Sequence, residues 1–252
     1  MQQSFLPIRK LSQKPYSYIL GFPKATKKQL QSRINELRKL KINGIAFEGT
    51  SLIGTLYVLG KGYVGIVVLG KWKNKKVAVK IRRTDSQRER MKNEAKLLKI
   101  ANKKHVGPKV IESSKNFLVM EYLDGKKIFD WIKELNGKGR TSKLKSTVKK
   151  VLEDCYNLDE MGLDHGELSR ITKHVIVGRK TTLIDFESSS TKRRVSNVTS
   201  ATQGIFIGSG IVNEIKKIYK IPSKEKIIKA LRIYKKEQTR ESFENVLTVL
   251  KL

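Results

Sequence analysis

The chain has 252 residues, with 54 Lys and Arg against 23 Asp and Glu, a formal net charge of +31. That length and a 38% hydrophobic content allow one large domain or two small ones with a full core. A single cysteine, Cys155, excludes an intrachain disulfide and a cysteine-based zinc cluster.

The first ten residues lack the apolar run of a secretory signal. The least polar stretch, residues 44–60, is broken by Glu48 and several glycines, so no membrane span is expected. These features point to a soluble, reducing, cytoplasmic setting. The charge calls for an acidic partner such as nucleic acid, a ribosome, an anionic lipid or a nucleotide.

Along the chain, Leu30, Ile34, Leu37 and Leu40 fall at helical spacing and predict one amphipathic helix over 27–41. From residue 50 to 80 the pattern turns β-branched: Ile66, Val67, Val68, Val77 and Val79 stand among Gly60, Gly62, Gly65 and Gly70. This predicts three short antiparallel strands, with a hairpin near Lys73-Asn74-Lys75. Ser86-Gln87-Arg88-Glu89 reads as a capping box, opening a helix to about Ala101. Val110-Ile111 and residues 117–122 predict two more strands, so the first half is expected to be a five-strand sheet with one inserted helix. The second half reads as helical. Ile128, Trp131, Ile132 and Leu135 share one helix face, and 143–161 form a longer helix ended by Gly162. Two short strands follow, at 175–177 and 182–185. Residues 191–205 read as a polar loop, and two or three helices fall within 209–251.

The charge is uneven. Residues 1–60 hold 10 basic and 2 acidic side chains, and 61–120 hold 17 and 4. Residues 121–190 hold 13 and 12, and 191–252 hold 14 and 5. A near-neutral segment inside a basic chain either concentrates carboxylates for metal or acid–base work, or is an ordinary helical surface.

The motifs favour the first reading. Residues 59–67 contain G-x-G-x-x-G-x-V, with Gly60, Gly62 and Gly65. A dinucleotide-binding loop of this spacing would lead into a helix; here Gly65 leads into a β-rich run, as in a hairpin lid whose backbone N–H groups cover phosphates. A Gly-rich hairpin without a ligand would look the same. Fifteen residues on, Val77-Ala78-Val79-Lys80 puts a lysine at a strand end. On the following helix Glu94 falls among Met91, Ala95, Leu97 and Leu98, the apolar face. A lone buried carboxylate is costly, so Glu94 is the natural partner of Lys80, unless that flank is exposed.

With these residues the chain resembles the protein kinase superfamily over about residues 50–190. Leu118-Val119-Met120-Glu121-Tyr122-Leu123 looks like the strand, gatekeeper and hinge, with Met120 as gatekeeper and backbone groups of Glu121 and Leu123 for the adenine edge. Asp164-His165-Gly166-Glu167 looks like the catalytic loop, and Leu183-Ile184-Asp185-Phe186-Glu187 resembles the Asp-Phe-Gly motif. The resemblance implies an α+β bilobal fold: an antiparallel sheet lobe over 50–123, a compact, mainly helical lobe over 124–252, and an N-terminal extension at 1–49. It implies ATP and Mg2+ (or Mn2+) as cofactors, Lys80 on the phosphates and Asp185 on the metal. His165 is expected to support the loop by packing and hydrogen bonding.

The chain departs from the pattern in ways that bear on chemistry. Glu167 stands where the family has its catalytic Asp, one methylene longer. No Asn follows five residues later; Thr172 is there, and a loop two residues longer would offer His174 as the second metal ligand. Glu187 replaces the Gly of the metal motif and is another candidate ligand. No Pro lies between Pro108 and Pro222, so the Ala-Pro-Glu anchor is absent. These traits are similar to the minimal atypical kinases: the RIO type, the small tRNA-modification-linked kinases and archaeal predicted serine/threonine kinases. The implied activity is transfer of the γ-phosphoryl group to a hydroxyl of an unidentified protein. An ATPase or a pseudokinase of the same fold, acting as a basic RNA- or ribosome-associated switch, remains the alternative. Lys73, Lys75, Lys76, Arg82 and Arg83, with Tyr63 and Trp72 nearby, form either an RNA contact or a solvated basic face.

Overall fold

The computed structural model describes residues 4–208 and 210–252, without the side chains of 88–90. The chain divides into two units, Met1–Lys99 with Pro108–Leu123 and Ile100–Gly107 with Asp124–Leu252.

In the first unit the elements run β1 (Leu6–Pro7), α1 (Tyr16–Leu20), α2 (Lys27–Lys39), β2 (Ile42–Ala46), β3 (Ser51–Ile53), β4 (Leu56–Val58), β5 (Gly60–Lys61), β6 (Gly65–Trp72), β7 (Lys75–Arg82), α3 (Arg88–Asn102), β8 (Val110–Ser113) and β9 (Phe117–Glu121). The final residues of α3 group with the second unit. The β-branched runs pair as expected: β6 and β7 form a full-length hairpin, and Lys73 and Asn74 at its turn both take positive φ, 44° and 63°. The sheet is larger than the five strands expected. It has seven, ordered β1-β2-β6-β7-β9-β8 with β5 against β6, because residues 1–49 contribute β1 and β2. β3 and β4 form a separate hairpin.

Helix α2 starts where Thr26 and Gln29 form a reciprocal capping box, and it stops at Lys39, before Lys41 turns left-handed (φ 59°). Its Ile34 and Leu37 join Ile8, Leu11, Ile19 and Leu20 in one core with Val77, Val79, Ile81, Phe117 and Val119. The extension therefore shares a core with the sheet. Alternation along β7 sends Val77, Val79 and Ile81 into that core and Lys80 to the other side. Helix α3 runs as expected; the Glu89 side chain of the expected capping box lies outside the described residues.

In the second unit come β10 (Gly125–Lys127), α4 (Ile128–Glu134), α5 (Arg140–Glu160), α6 (Ile171–His174), β11 (Val175–Gly178), β12 (Thr181–Leu183), α7 (Asn197–Phe206), α8 (Ile211–Lys216), α9 (Lys224–Glu237) and α10 (Arg240–Leu250). β10, β11 and β12 make a three-stranded antiparallel sheet, in which β10 was not expected. One expectation is corrected: residues 191–205 are not all loop, because α7 occupies much of that range. Its small polar residues Asn197, Thr199 and Thr202 are buried, and Gly204 lets the helix approach Ser169, whose carbonyl would sit 2.8 Å from any added Cβ. Tertiary packing outweighs weak helix propensity here.

Candidate functional site

The first unit gathers the Gly-rich hairpin, Lys80 and Glu94. Gly62 N donates to Gly65 O (2.8 Å), which closes the loop between β5 and β6. Gly65 pairs with Arg82 on β7, and a Cβ there would sit 2.8 Å from Ile81 O and 3.0 Å from Lys80 Cγ. Glycine is thus what lets the hairpin lie directly on the Lys80 side chain. Lys80 is 4% exposed and Glu94 2%, and Lys80 Nζ donates to Glu94 Oε1 at 2.8 Å. Met91, Ala95, Leu97 and Leu98 are buried beside Glu94 on α3. An almost fully desolvated ammonium–carboxylate pair of this kind is marginal as a stabilising device; its use is to hold the ammonium in one place. Met120 and Glu121 end β9 opposite Ala78 and Val77, and Glu121 N donates to Lys109 O (2.9 Å). Leu123 closes the unit just beyond that strand.

Two members of the expected basic cluster are engaged within the chain. Arg82 is buried against Asn116, and Arg83 pairs with Asp85 at 2.7 Å. Lys73 instead lies over the Trp72 ring (4.7 Å).

The second unit gathers Glu167, His174, Asp185 and Glu187. Ile184 leaves β12 with its N–H bonded to His174 O (2.9 Å). Asp185 then takes a left-handed conformation (φ 69°, ψ 74°), and Phe186–Ser188 make a 3-10 turn with Phe186 fully buried. A non-Gly residue at positive φ is a strained position of the kind found at functional sites. Glu187 lies on that turn. Glu167 is held by Ser188 Oγ, which donates to its Oε1; the buried His174 ring lies beside its Oε2, with Nε2 at 3.2 Å but not hydrogen-bonded to it. Burial lowers the His174 pKa against the opposing pull of Asp185 and Glu167. His165 is fully buried, bonded through Nε2 to Ile184 O (3.1 Å) and packed on Phe186 at 4.9 Å. Burial, then the neighbouring His174, lowers its pKa to about 4, so the ring is neutral and Nε2 carries the proton.

Sequence reasoning missed the support beneath this loop. Asp159 on α5 accepts from Asn197 N (2.9 Å), Asn197 Nδ2 (2.8 Å), Val198 N (3.1 Å) and Tyr234 Oη (2.9 Å), which satisfies the first turn of α7. Asn197 in turn bonds Leu163 O and accepts from His165 N, both at 2.8 Å. Asp164 pairs with Ser190 as a β-bridge and accepts from Arg193 Nε (2.9 Å). Lys127 was missed too. It donates to Lys173 O (2.6 Å); burial lowers its pKa, and the charge of Asp185 acts against that.

Among the described residues, no group of three or more His, Cys, Asp or Glu side chains is gathered to hold a metal alone. Magnesium at phosphates needs only one or two carboxylates from the protein, the rest of its shell being phosphate oxygen and water. Asp185 and Glu187 on one strained turn fit that requirement. No helix among the described residues is long and apolar enough to cross a membrane.

Two comparisons with known proteins bear on this arrangement. The family model for protein tyrosine and serine/threonine kinase matches residues 53–205, more than half of the chain. An uncharacterized protein of Methanocaldococcus jannaschii is 27% identical over 118 residues, covering 47% of this chain and 97% of that protein.

Proposed function

This chain belongs to the protein tyrosine and serine/threonine kinase family, and on that footing we propose that it is an ATP-dependent atypical serine/threonine kinase of the minimal, RIO-like or archaeal kind. The family generally transfers phosphoryl groups from ATP with Mg2+. The observation that carries the proposal for this chain is the buried Lys80–Glu94 pair at 2.8 Å beneath Gly65.

The residues divide the work as follows. Backbone N–H groups of the loop with Gly60, Gly62 and Gly65 cover the phosphates. Lys80 orients the α- and β-phosphates, and Glu94 fixes the ammonium. Met120 borders the adenine, and backbone groups of Glu121 and Leu123 bind its edge. Asp185 holds Mg2+ or Mn2+, with His174 or Glu187 as the second ligand. The metal, when bound, neutralises the charge that develops on the β- and γ-oxygens. Glu167 takes or orients the proton of the acceptor hydroxyl. Ser188 fixes the carboxylate, which compensates for the extra methylene. Residues 50–123 and 124–252 form the two functional parts.

One observation favours the second reading, a weak kinase or an ATPase. Ser188 Oγ already engages Glu167 Oε1 and the His174 ring faces Oε2, which restricts the directions from which the carboxylate can meet an acceptor hydroxyl. Phosphoryl transfer depends mainly on positioning and charge neutralisation, so turnover would survive this better than proton abstraction. The net charge of +31 supports an acidic partner such as RNA or a ribosome in either case. Labelled ATP with Mg2+, the purified protein and cell extract, with and without nuclease, separates the two. Label on a protein acceptor supports the kinase; nuclease-sensitive phosphate release without a labelled acceptor supports the ATPase; no turnover leaves a pseudokinase.

A further inference from the structure

Residues 22–36 make contacts that none of the motif residues explains. Glu36 on α2 accepts from Ser114 Oγ (2.7 Å), Asn116 N (3.1 Å) and Asn116 Nδ2 (2.5 Å). Asn116 Oδ1 accepts from Arg82 Nε (3.1 Å) and Nη2 (2.9 Å), with Arg33 Nη2 at 3.5 Å. Arg82 Nη1 then donates to Arg83 O (3.0 Å) and Ser86 O (2.5 Å). Arg33 and Arg82 are 2% and 7% exposed. Two buried guanidinium groups repel: burial and Arg82 lower the Arg33 pKa to about 10, and Glu36 opposes the fall.

A second contact set starts at Phe22. Its carbonyl accepts from Thr84 N (2.8 Å) and Thr84 Oγ1 (3.1 Å). Its ring lies 5.0 Å from Lys61 Nζ, in the Gly-rich loop, and 5.2 Å from the Arg83 guanidinium. Arg83 N donates to Val64 O (2.8 Å), which ties the same connection to that loop.

Both sets converge on residues 82–86. That stretch connects β7, which carries Lys80, to α3, which carries Glu94. Apolar residues would fill the space with less desolvation than two arginines and a glutamate. What the polar network adds is direction, because it fixes one backbone carbonyl, Ser86 O, at hydrogen-bond distance. We infer that Glu36, through Asn116 and Arg82, and Phe22, through Thr84, are positioning residues for nucleotide binding. They fix the β7–α3 connection and so keep Glu94 on Lys80. This rests on the reading of Lys80–Glu94 as the phosphate grip.

The test is a double-mutant cycle on MgATP affinity, measured by calorimetry on the full chain. Gln at position 36 has one acceptor oxygen where Glu36 uses two, and it carries no charge for the arginines. Glu36→Gln is expected to weaken MgATP about tenfold alone and less than about twofold in a Glu94→Gln background, since both then act on one element. An equal factor in both backgrounds, or unchanged affinity in Glu36→Gln, overturns the inference. If Glu36→Gln does not fold, Thr84→Val removes only the hydroxyl bond to Phe22 O; it is expected to weaken MgATP about threefold with the same non-additivity, and an additive or absent effect again overturns it. Wild-type protein that fails to bind MgATP overturns the nucleotide-binding reading and this inference with it.

Discussion

Replacing Glu94 by Gln separates what the Lys80–Glu94 pair does for folding from what it does for ATP. Nζ and Oε1 are 2.8 Å apart, with the two side chains 5% and 3% exposed. Removing one partner of such a pair costs about 3–5 kcal/mol. For a chain of this size that is a fall of about 10 °C in Tm. Glu94→Gln should therefore unfold earlier in heat and urea. Replacing both residues by Met removes the charges together, and stability should return to within about 1 kcal/mol of wild type, because a well-packed apolar pair does as well as a buried ion pair. Nucleotide binding should not return with it. A charge-assisted hydrogen bond to phosphate contributes about 1.5–3 kcal/mol, so the Lys80→Met, Glu94→Met protein should bind MgATP at least about tenfold more weakly. Urea unfolding and calorimetric MgATP titration of the three proteins read both quantities. A stable double variant that binds MgATP like wild type would refute the reasoning and leave the pair a purely structural one.

Further outcomes follow from other contacts. Gly65→Ala puts a Cβ 2.8 Å from Ile81 O; the hairpin must shift, and about 1–3 kcal/mol of stability and much of the MgATP affinity should be lost, as seen by thermal melting with and without nucleotide. Ser188→Ala removes the hydroxyl on Glu167 Oε1 and should change kcat with KM for ATP unchanged; a shift in KM alone would contradict the role given to Ser188. Asn197→Ala removes bonds to Asp159, Leu163 and His165 and should destabilise the second unit by about 2–4 kcal/mol, read by urea unfolding. Cys155 is buried and desolvation pushes its thiol pKa well up, so it should be inert to a thiol reagent in the native protein and react fully in denaturant.

What could be read from the sequence follows from locality. Glu94 was legible because a helical wheel puts it on the apolar face, and Lys80 because it closes a short apolar strand run at the spacing of the family motif. The hairpin at Lys73-Asn74 was legible because its turn chemistry is local. Helix α7 was not, because Asn197, Thr199 and Thr202 are poor helix formers whose burial against the rest of the unit decides the outcome. β1, β2 and β10 escaped notice because strands of two to five residues carry little periodicity and are defined by distant partners. The Ser188–Glu167 bond spans 21 residues, across α6, β11 and β12, and the Glu36–Asn116 contact spans 80. Neither leaves a mark in local spacing.

The proposed activity is transfer of the γ-phosphoryl group of ATP to a protein hydroxyl, with Asp185 as the residue that would hold the metal. The most direct measurement is γ-labelled ATP with Mg2+ and cell extract, comparing wild type with Asp185→Asn at equal thermal stability. Label on a protein acceptor is expected with wild type and none above background with Asp185→Asn. Equal labelling by both proteins would contradict it.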